Sequence, residues 1–194
     1  MNKIINKNPK FTICVSGAAE ISCCCPKIHE LAQEIGREIA RQECVLITGA
    51  TTGVPSFAVK GFKEIGGLSV GFSPAKSRKE HLKTYRLPVE HFDLIVYTGF
   101  DYVGRNLILT KAADGVIIIC GRTGTLNEFT IAFETRTPIG ILQETGGTAD
   151  FIDDILKKGH RPLTRVIYRK DPKKLVQDLI EVIKKQRNND HSKS

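Results

Sequence analysis

Glycine, threonine and glutamate stand at close, regular intervals in Gly121-Arg122-Thr123-Gly124-Thr125-Leu126-Asn127-Glu128. Spaced this way, they can hold an anion. Gly121 and Gly124 let the backbone turn and approach a ligand with no Cβ in the way. A helical pattern follows at once from Leu126, so unpaired N–H groups and the positive end of a helix dipole face whatever sits over the turn. A phosphate suits that arrangement, and the Arg122 guanidinium can cover it or fill part of its pocket.

Two acid–base groups accompany the turn. Glu128 admits two roles. Thr125-x-x-Glu128 has capping-box spacing, in which the carboxylate returns to the Thr125 N–H. The same carboxylate can instead act as a catalyst, stabilising positive charge that develops close to it while a phosphate anchor holds the substrate still. Arg105 falls in the first turns of another helix, where the dipole gives a cation nothing. Its planar fork of donors suits a phosphate; the plainer alternative is a surface ion pair with Asp101. Glu128 and Arg105 are the candidate catalytic residues.

These groups meet only if the chain carries them to one edge. Val116-Ile117-Ile118-Ile119-Cys120 is a continuous apolar run, the pattern of a strand buried on both faces of a parallel sheet. Strands are expected over residues 11–15, 44–47, 68–72, 94–97, 116–120, 138–142 and 165–168. Helices are expected between them: one from Pro26 to Arg41, one from Pro55 to Glu64, a short one behind the Ser77-x-x-Glu80 box, and one capped by Asp101. Three more run over residues 126–135, 149–157 and 172–185. Strict alternation implies an α/β, single-domain, doubly wound (Rossmann-like), mostly parallel sheet flanked by helices. Residues 1–10 are expected to be a flexible lead-in, 11–187 the nucleotide-binding domain and 188–194 a disordered polar tail. In such sheets ligands bind beyond the carboxyl ends of the strands, where the strand order reverses. Gly17 after the first strand, Gly49, Thr51 and Gly53 after the second, and Gly121–Thr125 after the fifth are therefore expected to line one crevice. No G-x-G-x-x-G follows the first strand, which argues against an ordinary NAD site.

Composition narrows the classes. A chain of 194 residues, 41% hydrophobic and 26% charged, can bury a real core. No apolar run approaches the ~20 residues needed to span a bilayer, and the N-terminus lacks a signal-peptide core, so a cytoplasmic location and no membrane partner are expected. In that compartment the six cysteines (Cys14, Cys23, Cys24, Cys25, Cys44, Cys120) are expected to be free thiols. No C-x-x-C spacing is present and the histidines are scattered, so no metal is expected. The net charge of +8 admits a nucleic-acid partner, but much of it lies between Lys170 and Lys193, as on a solvated helix face. Aromatic stacking groups are absent from obvious groove positions, which argues against nucleic acid.

Ile47-Thr48-Gly49-Ala50…Gly53, Gly71-Phe72-Ser73-Pro74, Gly104-Arg105-Asn106 and Gly121-x-x-Gly124-Thr125-x-x-Glu128 together resemble the nucleotide-binding Rossmann-like superfamily of the cytokinin-activating, lysine-decarboxylase-like phosphoribohydrolases and the molybdenum-cofactor carrier proteins. The hydrolase signature is P-G-G-x-G-T-x-x-E, with an Arg-Lys pair on the preceding helix. Here Cys120 replaces the proline, Arg122 the second glycine and Asn106 the lysine, so the chain is closer to the carrier-like branch. The resemblance implies binding of a phosphate-bearing, nucleotide-like ligand, with no cofactor required unless a bound nucleotide or pterin is one. Its enzymatic alternative is a nucleoside 5′-monophosphate phosphoribohydrolase. It also implies a homo-oligomer, dimer or tetramer, in which helices beside the pocket meet a second subunit.

Overall fold

The computed structural model describes residues 10–162 and 166–191. The expected lead-in up to residue 9, Arg165 at the start of the last strand and the final three residues lie outside the described residues. Seven strands form one sheet: β1 (Thr12–Gly17), β2 (Val45–Thr48), β3 (Ser69–Ser73), β4 (Leu94–Tyr97), β5 (Gly115–Ile119), β6 (Ile139–Leu142) and β7 (Val166–Arg169). Their order is β4-β3-β2-β1-β5-β6-β7, and every pairing is parallel. The doubly wound expectation holds, and the order reverses between β1 and β5.

β5 explains why the apolar run is unbroken. Its side chains alternate between two cores, Ile117 and Ile119 on one face, Val116 and Ile118 on the other, all fully buried. The first core is closed by α1 (Ile28–Arg41), α2 (Val54–Ile65) and α7 (Pro172–His191), through Ile35, Ile39, Phe62, Leu175 and Leu179. The second is closed by α4 (Asp101–Lys111), α5 (Thr123–Glu134) and α6 (Ile152–Lys158), through Leu109, Phe129, Phe133, Ile152 and Leu156. Each such side chain contributes roughly 1.5–3 kcal/mol by leaving water. α1 and α2 pack closely because Gly36 and Gly61 sit at their contact. A Cβ on Gly36 would lie 1.9 Å from the Ala58 carbonyl oxygen, and one on Gly61 2.1 Å from that of Gln33.

The local signals mostly hold. Ser77 caps α3 (Arg78–Lys83) by accepting from the Glu80 N–H, although the Glu80 carboxylate accepts from the Lys76 N–H rather than closing the box on Ser77. Asp101 does not cap α4. It is the first residue of the helix, and its carboxylate accepts the Tyr85 hydroxyl proton instead. α7 continues through His191, several residues past its expected end. Among the described residues no helix is long and apolar enough to cross a membrane.

One expectation fails outright. Cys24 and Cys120 are joined as a disulfide, while Cys14, Cys23, Cys25 and Cys44 are free. Pairing β1 beside β5 sets the loops that follow these strands next to each other, so cysteines 96 residues apart meet.

Candidate functional site

The carboxyl ends of β1, β2 and β5 open into a cleft of about 600 Å³ at the reversal point. Gly17, Gly49, Thr51, Arg105, Arg122, Thr123, Gly124, Thr125 and Glu128 all line it. Gly53 and Gly121 do not. Gly53, at φ 67°, lies against the carbonyls of Ala18 and Ala19, so its role is to let two loops approach. Gly121, at φ 103°, turns the chain beneath the Thr125 and Thr148 side chains, a position closed to any Cβ. A smaller cleft of about 430 Å³, lined by Glu144, Asp150, Asp153 and Tyr168 among others, lies at the far end of the sheet, where its carboxylates repel a phosphate.

The helix start has the donors that an anion cradle needs. α5 begins at Thr123, and its first i→i−4 bond runs from Leu126 N–H to the Arg122 carbonyl. The N–H groups of Thr123, Gly124 and Thr125 precede that bond and have no intrahelical acceptor. No side chain caps the helix, and a Cβ built on Gly124 would meet open space. The Arg122 side chain is exposed beside this start, 3.6 Å from the Glu20 carboxylate.

Glu128 is not a cap. Because α5 opens two residues before Thr125, the capping-box geometry is lost, and the buried carboxylate accepts the Ser16 hydroxyl proton from the end of β1. Burial pushes its pKa up, against an opposing pull from the Arg105 charge. Ser16 is a site residue that sequence reading missed. Its position just before Gly17, at the reversal point, is the only signal that marks it.

Arg105 is buried, and it does not pair with Asp101. Nη1 donates to the carbonyls of Gly49 and, at 3.1 Å, Phe72, tying the ends of β2 and β3 to α4. Burial lowers its pKa, opposed by the Glu128 charge. Its Nε atom has no partner, and neither has Oδ1 of the neighbouring Asn106, whose Nδ2 donates to Asn127 at 3.0 Å. A buried donor and a buried acceptor thus stand unsatisfied in residues that line the same cleft. Tyr102 and Val103, also missed from sequence, form its apolar rim.

Among the described residues, only Cys23, Cys24 and Cys120 bring three atoms able to ligate a metal within 4.8 Å of one another. With two of them spent in the disulfide, a single thiol is left to donate.

Comparison with known proteins agrees with this architecture. An uncharacterized protein of Archaeoglobus fulgidus is 33% identical over 129 residues, 66% of this chain and 78% of that one. The molybdenum cofactor binding protein from the phototrophic bacterium Rippkaea orientalis is 28% identical, with a TM-score of 0.70 over 90% of this chain and 95% of that one. The molybdenum cofactor carrier protein from Chlamydomonas reinhardtii shares the fold at 23% identity, with a TM-score of 0.68 over 89% and 97%. Residues 10–176, which include all seven strands, match the SLOG cluster4 family, and the chain belongs to that family.

Proposed function

We propose that the chain is a carrier-like binding protein for a phosphate-bearing, nucleotide-like ligand, with the phosphate on the first turn of α5 and the rest of the molecule reaching toward Arg105 and Asn106. The observation that carries this reading is the pair of unsatisfied atoms, Arg105 Nε and Asn106 Oδ1, in the wall of a cleft whose other side is an uncapped helix start. One is a donor and the other an acceptor, the pattern that a heterocycle edge or a sugar hydroxyl answers. Solved relatives that bind or carry the molybdenum cofactor support a cargo of this shape, a pterin with a phosphate arm.

Hydrolysis of a nucleoside 5′-monophosphate is the second reading, favoured by the placement of Glu128 beside the cradle. Burial works against it, since it raises the Glu128 pKa and an oxocarbenium-like sugar is stabilised by the charged carboxylate. Titration with AMP, GMP and a pterin monophosphate, followed by calorimetry and by chromatography for free base, separates the two. Binding without base release is expected. Arg122→Ala is expected to weaken the preferred compound about 10- to 100-fold, as loss of one charge-assisted hydrogen bond does. Base release that disappears in Glu128→Ala would replace the carrier reading with the hydrolase.

We also propose that a second copy covers the cleft's rim. Phe100, Tyr102, Val103 and Leu107 expose large apolar side chains within eight residues, and two of them line the cleft. Light scattering is expected to show an oligomer that Val103→Asp converts to a monomer. A monomeric wild type would end this part of the proposal.

A further inference from the structure

The Cys24–Cys120 disulfide has a third sulfur beside it. Cys23 Sγ lies 3.8 Å from Cys120 Sγ, near van der Waals contact. The three sulfurs differ sharply in access: Cys120 is fully buried, Cys24 partly so, and Cys23 is exposed. Thiol–disulfide exchange requires a thiolate to reach a sulfur of the bond, so an external thiol meets Cys120 only through its neighbours. The position of the bond gives this access a consequence. Cys120 immediately precedes Gly121 of the anion turn, while Cys24 belongs to the loop that carries Glu20, the partner of Arg122.

We propose that Cys23 is the entry thiol of an internal disulfide relay, through which a dithiol reductant reaches the buried Cys120 and releases the loop over the cleft. In the first step the Cys23 thiolate attacks Cys120 Sγ. A Cys23–Cys120 bond forms, the Cys24–Cys120 bond breaks, and its electron pair leaves on Cys24, which takes a proton from water in place of the one Cys23 gave up. Nothing is oxidised or reduced overall. The bond now includes an exposed sulfur. In the second step a thiolate of the dithiol attacks Cys23 Sγ, making a mixed disulfide and freeing Cys120 as thiolate. The dithiol's other thiolate then attacks its own sulfur in that mixed bond and frees Cys23. Two electrons pass to the protein, the dithiol closes as a disulfide, and all three cysteines end as thiols.

After reduction the turn keeps other supports. The Thr148 N–H donates to the Gly121 carbonyl, the Ala149 N–H to that of Cys120, and the Cys120 N–H to Thr145 Oγ1. The start of the loop stays tied through the Ala18 and Ala19 carbonyls to the Val54 N–H and the Thr52 hydroxyl, while its end is held by the Cys25 N–H on the Thr145 carbonyl and the short bridge of Cys24 to Gly146. The loop is the part that the relay sets free. The relay stands whichever anion the cleft holds.

The test is reduction of the oxidised full-length protein by dithiothreitol, quenched with acid, alkylated, and read by mass spectrometry. Cys23→Ser is expected to lose its disulfide at least about tenfold more slowly than wild type. Cys25→Ser, one residue further along, is expected to keep the wild-type rate. In untreated wild type, tandem mass spectrometry of the linked peptides is expected to find a Cys23–Cys120 fraction beside Cys24–Cys120, a measurement that needs no variant to fold. A Cys23→Ser rate within twofold of wild type overturns the relay, and so does Cys24–Cys120 as the sole linkage.

Discussion

Replacing both Cys23 and Cys24 by serine is expected to lower the unfolding free energy by about 3–5 kcal/mol relative to the oxidised wild type. The bond closes a loop of 96 residues, half the chain, and the entropy that such a loop removes from the unfolded state is worth about 4.7 kcal/mol at 100 residues. At this chain length each kcal/mol moves the melting temperature by about 2–4 °C, so a fall of roughly 6–20 °C should follow. Both cysteines must change, because Cys23 lies close enough to Cys120 to replace the lost bond. Differential scanning calorimetry of the double variant beside oxidised and fully reduced wild type measures the effect. The variant and the reduced protein should melt together. Melting of either within about 2 °C of the oxidised protein would show that the bond contributes little.

The second large effect concerns Arg105 and Glu128. Arg105→Met keeps the alkyl volume but removes the donor to two carbonyls and the charge opposite a buried carboxyl. A cost of about 2–5 kcal/mol is expected, the range for stranding buried polar groups. Glu128→Gln acts the other way. Burial raises the Glu128 pKa in the folded protein, so the folded state holds that proton more tightly than the unfolded chain does. The stability this gives is complete below the ordinary glutamate range, and it is lost as pH rises through the raised folded value. Glutamine still accepts the Ser16 proton and carries no charge, so Glu128→Gln should be more stable than wild type at neutral pH and should flatten this dependence. Its gain should be larger in the Arg105→Met background, where the opposing cation is gone. Urea unfolding of the four proteins between about pH 4 and pH 8 tests this linkage. Parallel stability curves for wild type and Glu128→Gln would show that Glu128 ionises without cost. A buried, oppositely charged pair with shifted pKa values is what a ligand site commonly contains.

Much of the fold was legible because it is written in local patterns. Val116 to Cys120 reads as a two-sided buried strand without reference to anything distant, and the alternation of strands and helices implies the reversal point where the cleft opens. The turn at Gly121–Thr125 was legible for the same reason. Two features were not. Thr125-x-x-Glu128 satisfies a local rule, but the helix begins earlier than that rule supposes, and Ser16, 112 residues away, takes the carboxylate. Cys23, Cys24 and Cys25 carry no recognisable spacing by themselves, since the partner of Cys24 lies 96 residues on, after the neighbouring strand. Arg105 was singled out by its poor fit to the helix dipole as a candidate phosphate ligand, but its burial was not legible. Its attachment to the Gly49 and Phe72 carbonyls depends on which strands are neighbours, which no spacing along the chain records.

The strand order has a consequence for how the site comes into being. β1 to β4 are laid down outward on one side of β1; the chain then crosses back and lays β5 to β7 outward on the other. Gly17, Gly49 and Thr51 belong to the first wing, and the cradle of α5 and Glu128 belongs to the second, with Arg105 on the crossing segment between them. As the chain leaves the ribosome, the first wing is complete before any of the cradle exists. A ligand that touches both wings acts as mortar at their joint. At a concentration one hundred times its dissociation constant it would add about 2.7 kcal/mol to their cohesion.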